Sequence, residues 1–482
     1  TLFRSPQVRM ASFKDGHSHP LFAGREALGP SITDCKSLAE IQTVIARYAA
    51  ENPQADWIDA GAFQRDLATD RFDLDLEAFD GKAVVLHADD HHTLWVNTEA
   101  LKRADLFETQ PSVSIGSIDI GDDGRPIGIL REWEAMRLVL DEIPPLTIEQ
   151  EILALEKAQE RLLSLGITEL QEAWIDPGMT EIYLEFAGRD LLKIRTHLAL
   201  RFDPKTWRAD LNYFKKCQLA VTELNHPRFR INAAKFFADG VLGSATAALN
   251  EAYESDSQNF GEPVWDFEEL GEAIDEAIEM GLSPHVHAIG DAAISKTLDL
   301  LESRKAELSK LLCPPVIAHC ELIGEADLKR FAAIGVVANL QPLWARKDSL
   351  LTSCIHHIGE RRLDDMYRMR SLSDSGANLA FGSDWPVSDP NPLLGAYTAV
   401  YRAVKDAPSW NEAESLTMRE ALEAYTKGTE HQLGYGSGSN TSERLDDFII
   451  LNADPLESSR ESFAEIRVLE TYIDGVRVWP TI

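Results

Sequence analysis

Two histidines stand two residues apart in Asp15-Gly16-His17-Ser18-His19-Pro20, at the end of a short apolar run over 12–17. Side chains at i and i+2 of a strand point the same way, so two imidazoles there can share one metal ion. Taken alone, the pair is as readily explained by satisfied or surface histidines. A second pair, His285 and His287, closes another run, His319 closes a third and Asp384 a fourth. Four strand ends that carry imidazole or carboxylate favour a metal site. The donors are the nitrogens and oxygens that Zn²⁺ and similar divalent ions accept. Lys235 sits in the otherwise apolar strand-like run 231–236. An ammonium there must reach solvent, pair with a carboxylate such as Asp239, or shift its pKa and become chemically useful. Asp384 follows Phe381-Gly382-Ser383. It is either a proton shuttle beside a metal or a helix N-cap.

The elements that must hold these residues read as strands alternating with helices. Strand-like runs lie at 12–17, 167–173, 194–200, 231–236, 283–287, 315–319, 336–341 and 377–383. Helical patterns occupy 148–165, 179–188, 205–223, 266–280, 291–309, 324–334 and 359–375. Such alternation argues an α/β fold with a parallel sheet. Eight units predict closure into a (β/α)8 TIM barrel over 12–433, whose active site lies at the C-terminal strand ends. An open doubly wound sheet would require a Gly-rich phosphate turn after an early strand, and the chain has none. The stretch 35–147 is a large insertion after strand 1, with a helix at 36–51, an apolar run at 83–88 and a hairpin turn at 122–126. At that position it is expected to act as a lid or pocket wall over the active site. Residues 1–11 and 444–482, with a turn at Asp474-Gly475, are expected to form a small β-sandwich module.

Composition narrows the function. The 482 residues are 44% hydrophobic and 26% charged, an ordinary globular mix. With 47 basic and 79 acidic side chains the net charge is −32. That surface repels phosphate backbones and anionic lipid, so no nucleic acid and no membrane partner is expected. No run is apolar enough to span a bilayer. Five cysteines without CxxC spacing argue against a disulfide framework or a thiolate zinc site, and no signal-peptide pattern opens the chain. A cytoplasmic location is expected. Whether the chain forms a homo-oligomer is left open.

Several motifs together resemble one family. They are His17-Ser18-His19, Gly166-Ile167-Thr168, the segments 235–240, 287–291 and 318–321, Gln341-Pro342, 382–387, 416–426 and 447–451. The chain resembles the amidohydrolase superfamily, in the amidohydrolase-3 branch that includes N-substituted formamide deformylase-like proteins, over most of its length. The resemblance implies that His17 and His19 bind one metal and His287 and His319 a second. It implies that Lys235 is carbamylated by CO₂ into a bridging carboxylate, and that Asp384 completes the site and shuttles protons. His285 has no place in that pattern and is expected behind the ligands. Glu172, at the end of the second strand, competes with Lys235 as a carboxylate ligand; Lys235 would then pair with Asp239. Residues 90–97 resemble the branch's Asp-Gly-His-Ser-x-Trp-Val-Asn segment, which makes His92, Trp95 and Asn97 substrate-pocket candidates. The alternative there is a helix start with a packed tryptophan. Asp239, Asp291, Gln341 and Trp385, in the matched motifs, are further pocket candidates. Two features depart from the family: Ala245 stands where an arginine is expected, and the N-terminal β segment that usually precedes the barrel is short.

The implied function is a metal-dependent amidohydrolase acting on a small-molecule substrate. It would cleave a non-peptide C–N bond of amide, N-acyl or formamide type by metal-activated hydroxide, with one or two divalent ions such as Zn²⁺ as cofactor. Esterase, lactonase or phosphotriesterase chemistry with the same ligands is one alternative, and a non-catalytic barrel relative is another.

Overall fold

The computed structural model describes residues 7–89, 91–109, 111–113, 116–405, 407–434 and 446–480. Asp90 lies outside them, as do parts of the stretches assigned to the small β module (1–6, 444–445 and 481–482). The chain forms two compact units, Thr1–Pro20 with Gln159–Ile482, and Leu21–Ala158.

The first unit contains eight parallel strands: β1 (Phe13–Ser18), β2 (Ile167–Ile175), β3 (Arg195–Arg201), β4 (Phe229–Phe237), β5 (Ser283–Ala288), β6 (Val316–His319), β7 (Val337–Leu340) and β8 (Asn378–Phe381). Each pairs with the next in order. β1, β2, β5, β6 and β7 are buried along their whole lengths, as strands of a parallel sheet covered on both faces should be. Closure falls between β8 and β1. There the Asp384 N–H donates to the His17 carbonyl at 2.7 Å, and the Asp15 carboxylate accepts from the Ser383 N–H at 3.0 Å and its hydroxyl at 2.5 Å. Gly382 makes the approach possible, because a Cβ there would lie 2.6–2.9 Å from the backbone and Cβ of His17. The fold is the expected TIM barrel.

The helices follow the apolar spacing. Phe267–Glu279 buries Leu270, Ala273, Ile274 and Ala277 on one stripe, and the Asp266 carboxylate caps it by accepting from the N–H groups of Glu268 and Glu269. Residues 359–375 do not form the one helix expected. Glu360–Asp365 is a tight 3₁₀ segment, Tyr367 takes a left-handed φ of 49°, and only Met369–Asp374 is α-helical. A helix at Ser349–Ile358 was not anticipated. The strands Val8–Ala11, Phe448–Leu451, Val468–Ile473 and Val476–Trp479 form an antiparallel sheet. Its last hairpin turns at Asp474 and Gly475, both at positive φ, as a tight two-residue loop demands.

The second unit is built on a five-stranded sheet ordered Trp57–Phe63, Ala83–Ala88, Thr93–Val96, Pro126–Arg131, Ser117–Ile120. Side-chain alternation divides its core. Ile58, Val84, Leu86 and Trp95 pack with helix Leu38–Glu51, while Val85, Leu94 and Val96 pack with Ala100, Met136 and Val139. Among the described residues no helix is long and apolar enough to cross a membrane. All five cysteines are free and buried.

Candidate metal centre

The C-terminal ends of β1, β6 and β8 bring His17, His319 and Asp384 together, with one ligand atom from each inside a 4.8 Å cluster, all buried. Asp384 Oδ1 lies 2.8 Å from His19 Nε2 and 3.2 Å from His17 Nε2. Lys235 Nζ is 3.5 Å from His17 Nε2, and the His287 ring centroid is 4.5 Å from that of His319. The six side chains read as ligands therefore converge on one place, although they come from positions up to 367 residues apart in the chain (384 − 17). His319 and Asp384 sit at φ 77° and 55°. Such left-handed backbone at non-glycine residues costs about 1–3 kcal/mol and is typical of functional sites.

Burial sets the charge states. It pushes His17 well below the ordinary histidine range, with the neighbouring Lys235 ammonium acting the same way. It pushes His319 down to about 4 against the pull of Asp384. For His19, burial opposes protonation, but hydrogen bonding to Asp384 and Glu172 outweighs it and the pKa rises. Burial also works against an ionised Asp384, yet its hydrogen bonds with His17 and His19 hold it well below the usual carboxylate range. Lys235 is brought down to about 7, chiefly by burial. Neutral His17 and His319 beside an ionised Asp384 are donors that suit a divalent cation.

A chain of buried amides fixes one ligand's tautomer. The Gly16 carbonyl can only accept, so Gln432 Nε2 donates to it at 2.6 Å. Gln432 Oε1 must then accept from Asn339 Nδ2 at 2.7 Å, and Asn339 Oδ1 from Gln341 Nε2 at 3.0 Å. That leaves Gln341 Oε1 to accept from His319 Nδ1 at 2.8 Å. His319 Nδ1 therefore carries the proton, and Nε2 keeps its lone pair for a cation. His285 Nε2 lies 2.8 Å from His17 Nδ1 and holds that ring from behind. Trp344 stacks on His319 with centroids 5.5 Å apart, and the edge of Trp174 meets His19 at 6.2 Å.

The other named residues fall into different places. Glu172 accepts from the Tyr183 hydroxyl at 2.5 Å and faces His19 Nδ1 at 3.5 Å, so it braces His19 from behind. Asp239 accepts from the N–H groups of Ala248, Ile289 and Gly290 and ties loops together. It does not pair with Lys235, whose ammonium faces His17 and the Phe237 ring. Asp291 begins helix Asp291–Ser303 and accepts from the backbone and side chain of Asn250. The Trp385 carbonyl accepts from the His19 N–H at 2.8 Å. Asp384 caps no helix, since Pro392–Tyr401 is capped by Asn391. Ala245, at φ 57°, closes a short turn at Leu242–Ser244.

His92, Trp95 and Asn97 lie in the second unit. His92 pairs with Glu132 at 2.8 Å. Two of the pocket assignments are corrected. Trp95 is fully buried against Phe63 and donates to the Asp70 carbonyl, so it packs a core. Asn97 caps helix Thr98–Arg103 and bridges to Val84 and Lys82, so its amide is spent on structure.

Sequence reading missed Asp15, Asn339, Gln432, Tyr183 and Trp344. Asp15 and Trp344 flank the quoted His17 and Gln341 motifs and were within reach. Gln432 carries no local signal.

Known proteins resemble the chain over most of its length. Over 98% of its length and 89% of the relative's, the chain is 27% identical to YtcJ of Bacillus subtilis (strain 168), which is named as an amidohydrolase. It is 23% identical to the N-substituted formamide deformylase of Arthrobacter pascens, over 98% of this chain and 88% of that one. An uncharacterized metal-dependent hydrolase from Pyrococcus horikoshii OT3 matches its fold with a TM-score of 0.74 at 24% identity, covering 94% of this chain and 88% of the other. The pattern of the Amidohydrolase family matches residues 8–479, and the chain belongs to that family.

Proposed function

We propose that this protein is a zinc-dependent hydrolase of a non-peptide carbon–nitrogen bond in a small amide, N-acyl amine or formamide. The observation that carries the reading is the Asp384 carboxylate shared by His17 and His19 at the strand ends, beside the lone pair of His319. A divalent cation bound there supplies Lewis acidity toward a scissile carbonyl and lowers the pKa of water to about 7. His17, His19, His287 and His319 are the residues to hold it. The Asp384 carboxylate takes the proton from the attacking water and returns it to the leaving nitrogen, as general base and then general acid. Trp344 and Trp174 cover the rings of His319 and His19 and limit the water that reaches them. Lys235, a fully buried amine beside His17, is the residue to be carbamylated. Loss of activity in Lys235→Ala with recovery on adding short carboxylic acids supports that step, and full activity without them removes it.

The deformylase likeness supports carbon–nitrogen over carbon–oxygen bonds. The test is a panel of formamides, N-acyl amines and cyclic amides set against esters, lactones and phosphotriesters, on enzyme of measured zinc content. Turnover of the nitrogen compounds is expected. Turnover confined to esters, lactones or phosphotriesters would overturn the bond assignment, and zinc binding without any turnover would overturn the enzyme assignment.

A further inference from the structure

We propose that the unit Leu21–Ala158 carries a divalent-cation site of its own, with Glu26, His87 and His91 as ligands and Zn²⁺ as the ion its donors favour. Glu26 is the last residue of helix Pro20–Glu26, and His87 lies in strand Ala83–Ala88, just before His91. One ligand atom from each falls within 4.8 Å of the other two. Zinc bonds of about 2.0–2.1 Å in a tetrahedron put neighbouring ligand atoms about 3.3 Å apart. Glu26 Oε1 and His91 Nδ1 are 3.2 Å apart. The three side chains are only 20%, 13% and 12% exposed, so water competes weakly for them.

Three further features fit a cation. Asp59, on the adjoining strand Trp57–Phe63, meets His87 Nε2 at 2.8 Å. Its Cα is opposite Val85, which puts it diagonal to His87 on one face of the sheet. A carboxylate behind an imidazole is the usual device that orients a metal-ligating histidine. His91 holds a left-handed φ of 54°, a strained conformation that points to a constraint beyond local folding. Gly61 leaves the room the Glu26 carboxylate occupies, since a Cβ there would come within 2.7 Å of its oxygen. The two carboxylates, Glu26 and Asp59, match the charge of one divalent ion. Two nitrogens and an oxygen suit zinc better than the all-oxygen ions Mg²⁺ and Ca²⁺.

The experiment counts metal and needs no substrate. Full-length protein is stripped by chelation, reloaded with Zn²⁺ alone and dialysed, and zinc per chain is measured by elemental analysis, with circular dichroism as the check on folding. The paired substitution His87→Ala with His91→Gly is expected to lower the count by one equivalent. Asp59→Asn is expected to weaken that equivalent by about 10–100-fold. A variant with His17→Ala, His319→Ala and Asp384→Ala is expected to keep this equivalent, which separates the proposal from the barrel site. An unchanged count in the folded His87→Ala, His91→Gly protein would overturn it. If that variant does not fold, zinc-edge anomalous scattering from crystals of the loaded parent decides. A peak among Glu26, His87 and His91 supports the site, and its absence in zinc-loaded crystals refutes it.

Discussion

Asp384 and Gln341 carry the sharpest expectations for single residues. Asp384→Asn keeps the side-chain shape but cannot take a proton from water. Turnover should fall by about 10²–10⁴, with thermal midpoint and zinc content near those of the parent. A variant that binds zinc and turns over within a few-fold of the parent would remove Asp384 from the proton path. Gln341 acts at one remove, by holding the proton on His319 Nδ1. Gln341→Leu frees that ring to take the other tautomer and strands Asn339 Oδ1, at about 1–3 kcal/mol for the lost acceptor pairing. Zinc affinity should drop about 10–100-fold, read by competition with a chelating dye. Unchanged affinity would show that the amide chain does not govern His319.

The strands and helices have their own dependencies. β8 meets β1 through Gly382, where any side chain presses on the His17 backbone. Gly382→Ala should cost about 1–3 kcal/mol of overpacking, measured as a shift in denaturant midpoint. It should also reduce zinc binding, because the strain falls on the backbone that carries a ligand. Helix Met418–Glu423 begins with a capping box between Thr417 and Glu420. Thr417→Ala should cost about 0.5–2 kcal/mol in the same measurement and leave zinc binding alone. Glu420 is also held down to about 2, first by its hydrogen bond from Arg370 and then by Thr417. Its folded pKa lies below its unfolded value. The stability it contributes is therefore full above about pH 4.5 and is lost as the pH falls toward 2. Glu420→Gln should flatten the pH dependence of the midpoint in that window, and an unchanged slope would contradict the pairing.

At the scale of the whole molecule, the metal and the fold are linked. The barrel site gathers buried imidazoles whose protonation burial opposes, and an ion that binds only the folded chain stabilises it. At zinc a hundredfold above its dissociation constant the gain is about 2.7 kcal/mol. Chelation should lower the thermal midpoint, and added Zn²⁺ should restore it. A midpoint indifferent to chelator would mean that the ligands are held in place without the ion.

The barrel was legible because its signals are local. Short apolar runs spaced by amphipathic stretches report parallel strands, and the residues at their ends report the working face. That logic, with the family resemblance, singled out His17, His19, His287, His319, Lys235 and Asp384, which the barrel brings together. It failed where pattern is ambiguous. Trp95 and Asn97 match a motif, yet their environments are a core and a helix cap, and nothing in the linear chain separates a packed tryptophan from a pocket wall. It was blind to the amide chain through Gln341, Asn339 and Gln432, because hydrogen-bond direction depends on which acceptor terminates the chain. That acceptor, the Gly16 carbonyl, lies 416 residues from Gln432. Periodicity thus determined the architecture, and residue type at strand ends, with the family resemblance, supplied the candidates for the site. Ring tautomers, the ionised state of Asp384 and the strain at His319 were decided only in three dimensions. They follow from burial and from partners that the closed barrel brings within 3 Å.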